Sequence, residues 1–139
     1  MKNLATIYLE AVGESLSHYE GICYELADRV LRLTDDPEAS ILYAEAEDGV
    51  DLRYVGDMAK RWAYHAVPLI GGLVHDAWFS LASDPLPPDE WVSKVFPWQC
   101  VRMSVFSNSK AYGDGEGPDR TWVVVPEGLP TEVEVGVGS

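Results

Sequence analysis

The feature that most constrains this chain is the run from Ala63 to Trp78, AYHAVPLIGGLVHDAW. Two apolar stretches flank Gly71-Gly72, the residue pair that a two-residue β-hairpin turn favours. A strand over about 62–70 and a second over 73–79 follow from it. Pro68 inside the first strand predicts an edge position or a bulge. With a two-residue loop, Ile70 pairs with Leu73, Val67 with Asp76 and His65 with Trp78. Alternation along each strand then places His65, Val67 and Leu69 on one face with Val74, Asp76 and Trp78, and His75 on the other. His65 and Asp76 become diagonal neighbours, roughly 7–8 Å apart at the backbone and within side-chain reach. A slip of one residue would break this geometry.

A histidine beside an aspartate is a poised base. The carboxylate fixes the imidazole tautomer and stabilises its protonated form. The arrangement lacks a nucleophile, and Cys23 supplies a candidate. A helix is predicted over about 22–33, with Ile22, Leu26, Ala27, Val30 and Leu33 as its apolar stripe. Cys23 then lies in the first turn of that helix, where unpaired backbone N–H groups favour a thiolate. Its own N–H is placed to form half of an oxyanion hole. Each residue also has a plainer reading. Free cysteine is most often a small buried apolar side chain. A core-edge histidine can simply bond a carbonyl, and an aspartate can cap a turn. The turn role suits Asp76 poorly, because His75, Ala77, Trp78 and Phe79 surround it. Burying a carboxylate without a partner is costly, which favours a partner such as His65.

The rest of the chain supplies the frame. Leu4, Ile7, Tyr8, Ala11 and Val12 recur at helical spacing, predicting an amphipathic helix over 2–18 that Gly13 weakens without ending. HYEG (18–21) reads as a turn. TDDPE (34–38) stops the second helix, and ASILYAEAE (39–47) reads as a strand. Residues 50–61 fit a strand, a loop or a short helix. A proline-rich loop (83–90) leads to a short helix starting at Pro88. Strands are predicted over 99–106 and 120–128, with a polar loop at 107–119, and the tail TEVEVGVGS carries little weight. Helices come first and strands later, the pattern of a single α+β domain over 1–139, its N-terminal helices packed on an antiparallel sheet.

The segment GICYELADRVLRL resembles the Gly-x-Cys-x-x-x-Ala start of the central helix in transglutaminase-like and papain-like cysteine enzymes. ASILYAEAE resembles the first strand of that superfamily, and YHAVPLIGGLVHDAW its His-bearing strand, turn and acid-bearing strand. The likeness covers about residues 18–80. It implies a papain-like or transglutaminase-like core, with Cys23 as nucleophile, His65 as base and Asp76 as orienting acid. The papain-like pattern has an oxyanion-hole Gln shortly before the cysteine. Here that stretch is ESLSHYEGI, so Tyr19, His18 or a backbone amide would have to donate. Tyr24 takes the place of the usual aromatic beside the cysteine, and Trp62 and Trp78 are candidate walls of a substrate groove.

Bulk composition narrows the function classes. The 139 residues carry 47% hydrophobic and 24% charged side chains, which suits a folded chain. Acidic residues number 23 against 10 basic ones, for a net charge of −13. That sign opposes direct nucleic-acid binding and favours a basic peptide or protein partner. Two cysteines, Cys23 and Cys100, make no disulfide framework. Neither a signal peptide nor a membrane-spanning run is apparent. The expected setting is the cytoplasm, or delivery by another machine. No cofactor is expected. Cys23, His65, His75, Asp76 and Cys100 lack the close ligand spacing of known zinc sites. The acidic clusters lack the ligand loop of a calcium site, and GDGEG (113–117) lacks the lysine of a phosphate loop. Two function classes remain. The first is a cysteine-dependent acyl-transfer enzyme: peptidase, deamidase or transglutaminase-like amidase. The alternative is a non-enzymatic acidic binding or inhibitor protein, such as a phage or mobile-element accessory protein that mimics nucleic acid.

Overall fold

In the computed structural model the described residues are 2–34, 36–55, 61–78, 84–107 and 117–126. The polar loop at 108–116, the tail from 127 onward, Asp35, Phe79 and part of the proline-rich loop lie outside them. The described residues form a mixed α+β fold, with three α-helices and a five-stranded antiparallel sheet.

Helix α1 spans Leu4–Val12. Asn3 caps it by accepting from the N–H groups of Ala5 and Thr6. Sequence periodicity carried this helix to residue 18, but Gly13 ends it. Gly13 takes a left-handed conformation (φ 70°) and its N–H returns to the Leu9 carbonyl, a helix stop that residues with a Cβ rarely adopt. A short 3₁₀ turn follows over Leu16–Tyr19, and α2 spans Cys23–Leu31. Leu26, Ala27, Val30 and Leu31 form the buried face of α2, against strands β1 (Ser40–Ala46) and β4 (His65–Ile70).

Strand β1 is the centre of the sheet. It is buried along its length except at Glu45, with β4 on one side and β6 (Val101–Ser107) on the other. Leu42 is fully buried opposite Val67 and Val105. Truncating such a side chain to alanine typically costs about 2–5 kcal/mol. Beyond β6 lies β7 (Arg120–Val124), and beyond β4 lies β5 (Leu73–Val74). Among the described residues of 50–61 lies a two-residue strand, β2 (Leu52–Arg53), paired with β3 (Arg61–Trp62). The strand expected over 62–70 is thus divided, with Trp62 in the small second ladder. Helix α3 spans Pro88–Val95, with proline in its first turn as expected.

The hairpin has the expected register. Ile70 pairs with Leu73 and Leu69 with Val74, and both Gly71 and Gly72 have positive φ (62° and 78°). That is the requirement of the turn type that matches strand twist. The second strand is shorter than expected, ending at Val74. Pro68 sits in an inner strand, at the place where β5 gives out. Its carbonyl accepts from the His75 N–H. In an antiparallel ladder a residue's nitrogen and carbonyl face the same neighbour. The missing proline N–H therefore faces the spent end of β5, and the ladder to β1 is unharmed.

Candidate active site

Three side chains separated in sequence come together on one side of the β4–β5 hairpin. Cys23 is the first residue of α2, and its Sγ accepts a hydrogen bond from the Ala66 N–H at 3.3 Å. The neighbouring residue on β4, His65, places Nε2 at 3.3 Å from Asp76 Oδ1. Because Nε2 is engaged by the carboxylate, Nδ1 is the ring nitrogen left for the thiol. His65 and Asp76 are almost completely buried, whereas Cys23 is half-buried. These groups form a chain and not a cluster around a point. Among the described residues, no three His, Cys, Asp or Glu side chains are arranged to hold a metal ion.

Asp76 lies past the end of β5, so the ladder does not hold it in place. Other donors do. Oδ1 also accepts from the Trp78 N–H at 2.9 Å, and Oδ2 accepts from the indole Nε1–H of Trp91 on α3 at 2.9 Å. The Asp76 carbonyl accepts from Asn3 Nδ2 at 3.0 Å, tying it to the start of α1. Buried carboxylates persist when donors satisfy them, and here each oxygen has at least one.

The electrostatics follow from these contacts. Burial pushes the Cys23 thiol up, the largest single influence. The His65 imidazole, as hydrogen-bond partner and as charge, outweighs it together with the N–H groups of Ala66 and of Cys23 itself, and the thiol ends below its ordinary value. The start of α2 favours the anion in the same direction. Burial likewise pushes the His65 imidazolium down. The Asp76 charge, its hydrogen bond and the Cys23 side chain reverse that and lift His65 to about 9. Between the lowered thiol and the raised imidazole lies a pH interval in which thiolate and imidazolium coexist. Trp62 stacks on His65 with centroids 4.4 Å apart and planes 20° from parallel, and Trp78 meets the ring edge-on at 5.1 Å. An imidazolium against an indole face gains about 0.5–2 kcal/mol of cation–π attraction.

A cleft of about 440 Å³ opens beside this chain, lined by Cys23 and His65 with Tyr19, Trp62 and Trp78 among its walls. Trp62 and Trp78, the candidate groove walls, both line this cleft. Tyr24, at 43% exposed, does not line the cleft: one residue further along α2 than Cys23, it turns outward. Tyr19 lines the cleft, but its hydroxyl donates to Glu14 Oε1 at 2.6 Å and accepts from Arg29. That engagement removes Tyr19 as an oxyanion donor. His18 is directed to Glu14 instead, its ring nitrogen 3.5 Å from the carboxylate. The backbone N–H groups of Ala66 and of Cys23 itself remain as donors beside the thiol.

Sequence reasoning missed Trp91, Asn3 and the Ala66 N–H. The available signal for Trp91 was weak: a tryptophan on the apolar stripe of α3 with Val92 and Val95 must, when buried, find a partner for its N–H. Nothing in the spacing pointed to Asp76. His75 occupies the opposite face, as alternation requires. It is fully buried, and its Nδ1 accepts from the Leu4 N–H at 3.0 Å.

No protein-family model matches the chain, and no curated protein matches it in sequence. Among the described residues, no helix is long and apolar enough to cross a membrane.

Proposed function

We propose that this protein is a cysteine-dependent acyl-transfer enzyme working through Cys23, His65 and Asp76. The observation that carries the reading is the continuous path from Asp76 through His65 to a thiol lowered at a helix start, beside an open cleft. Burial alone would drive both the thiol and the imidazole neutral. Against burial, Asp76 first and Cys23 second raise His65, and His65 lowers the thiol, the arrangement an activated thiol needs.

In this reading the Cys23 thiolate attacks the carbonyl carbon of an amide or thioester. A C–S bond forms, and the carbonyl electrons move onto oxygen, where the Cys23 N–H and the start of α2 stabilise the charge. Collapse expels the leaving group, and His65 Nδ1 gives an amine leaving group its proton. Water or an amine, deprotonated by the now neutral His65, then attacks the thioester and regenerates the thiol. Water gives hydrolysis or deamidation, and an amine gives transamidation. Asp76 keeps His65 oriented and stabilises its charged form. This is the chemistry of the transglutaminase-like and papain-like enzymes that residues 18–80 resemble, and a core of that kind is part of the proposal. The net charge of −13 favours a basic peptide or protein substrate. A thiol nucleophile works in a reducing compartment, which makes the cytoplasm the implied setting.

The test is acyl capture. The protein is mixed with activated esters and with peptide thioesters, quenched in acid, and weighed intact. One acyl group on Cys23, absent from Cys23→Ser, is the expected result. If Cys23→Ser is acylated equally, or no donor labels Cys23, the enzyme reading fails. Salt-sensitive binding of a basic partner, unchanged in Cys23→Ala, would then favour an acidic binding protein.

A further inference from the structure

Asp76 stands one residue beyond the antiparallel ladder's last contact with β4, at His75, so its side chain is not held by strand pairing. Its Oδ1 is shared between the Trp78 N–H and His65, while Oδ2 faces another part of the molecule. Among the described residues, the donor to Oδ2 is the indole of Trp91. That indole comes from α3, which follows Cys23, His65 and Asp76 in the sequence. It is almost fully buried and rests edge-on against Phe96, with centroids 5.5 Å apart. It also lies near-parallel to the His65 ring, at 6.1 Å and 24°.

We propose that Trp91 is a positioning residue for the Cys23–His65 site, its indole N–H fixing the rotation of the Asp76 carboxylate so that Oδ1 stays on His65. The inference rests on the Cys-His-Asp reading above and extends it to α3. A carboxylate can turn about its Cβ–Cγ bond at little cost. With one oxygen serving both a backbone N–H and an imidazole, a second anchor on the other oxygen holds His65's share. Without it, Oδ2 would be a buried acceptor lacking a donor, and the carboxylate would turn toward whatever donor it could reach. Trp91 is not among the residues that line the cleft. Its effect passes through Asp76 to His65.

The deciding variant is Trp91→Phe, which keeps a large aromatic ring and removes the N–H. The rate of Cys23 alkylation by iodoacetamide is followed against pH in the full-length wild type and the variant, with near-ultraviolet circular dichroism to show that both are folded. Wild type is expected to react at low pH and to show a second step near pH 9 as His65 loses its proton. In Trp91→Phe the two steps are expected to approach each other by roughly one pH unit, with acylation slowed roughly tenfold, the scale of one lost hydrogen bond to a charged group. A loosened core without a positioning role would lower the melting temperature and leave the pH steps in place. A folded variant with the wild-type profile overturns the proposal. If Trp91→Phe does not fold, the wild-type indole N–H resonance of Trp91 decides. Slow exchange, and a chemical shift that follows the Cys23–His65 titration, support the role; fast exchange, or no response, overturns it. A wild type with no low-pH step overturns the Cys-His-Asp reading itself, and the Trp91 role with it.

Discussion

His65 and His75 sit on the same hairpin, and both are buried in the same small protein, yet their surroundings drive them to opposite states. His65 points toward α2, where Asp76 and Cys23 hold it charged to about pH 9 against the cost of burial. His75 points toward α1. Burial pushes its pKa below the ordinary value, and the neutral ring uses Nδ1 to accept the Leu4 N–H, one of the donors a helix start leaves unpaired. Burial opposes the charge in both rings; at His65 a carboxylate reverses it, and at His75 burial prevails. The first arrangement yields a cation suited to proton transfer, and the second a neutral ring suited to capping a helix. Asn3 links the two environments, capping α1 through Oδ1 and holding the Asp76 carbonyl through Nδ2.

The largest break in this comparison comes from removing the carboxylate. Asp76→Ala leaves the His65 ring, the Trp91 N–H and the Trp78 N–H without their acceptor in the interior. A loss of about 3–5 kcal/mol is expected, read from the midpoint of guanidinium unfolding. The low-pH reactivity of Cys23 should vanish with it. His75→Phe comes next. It keeps the ring volume and removes the acceptor for the Leu4 N–H, at an expected cost of about 1–3 kcal/mol. Cys23 should keep its wild-type pH profile in that variant; a shifted profile would show that the two histidines are not separate systems. Asn3→Ala should have the smallest effect, about 1 kcal/mol from the lost cap, with a slight change in Cys23 reactivity through the Asp76 carbonyl.

Stability against pH sharpens the same contrast, because the two histidines work with opposite sign. The raised pKa of His65 gives stability that is fully present below its ordinary value of 6.5 and is lost as pH rises through about 9. The lowered pKa of His75 gives stability that is present above 6.5 and is lost as pH falls through its lowered value. Melting temperatures measured across pH should therefore lose part of their alkaline decline in His65→Phe and part of their acid decline in His75→Phe. The same limb changing in both variants would refute the assignment.

The hairpin was legible in the sequence because Gly71-Gly72 fixes both turn and register, and the register decides which face each of His65, His75 and Asp76 takes. The start of α2 was legible from its apolar stripe, and that put Cys23 at a helix terminus. Two local misreadings have physical causes. Periodicity alone ran α1 through Gly13, whose left-handed conformation ends the helix. Apolar content alone ran the second hairpin strand over 73–79, although the strand ends at Val74 and Asp76 turns to meet Trp91 and Asn3. The anchors of Asp76 were not legible, since they join residues 15 and 73 positions apart and no local pattern relates them. The exposure of Tyr24 and the engagement of the Tyr19 hydroxyl by Glu14 and Arg29 are likewise tertiary outcomes.

The most direct test of the Cys23–His65 pair is the rate of Cys23 alkylation as a function of pH, in wild type and in His65→Ala. Wild type should react well below the range of an ordinary thiol, near pH 8.5, and His65→Ala should lose that low-pH reactivity. If both proteins stay inert until about pH 8.5, thiol and imidazole are merely packed side by side, and the acyl-transfer reading is wrong.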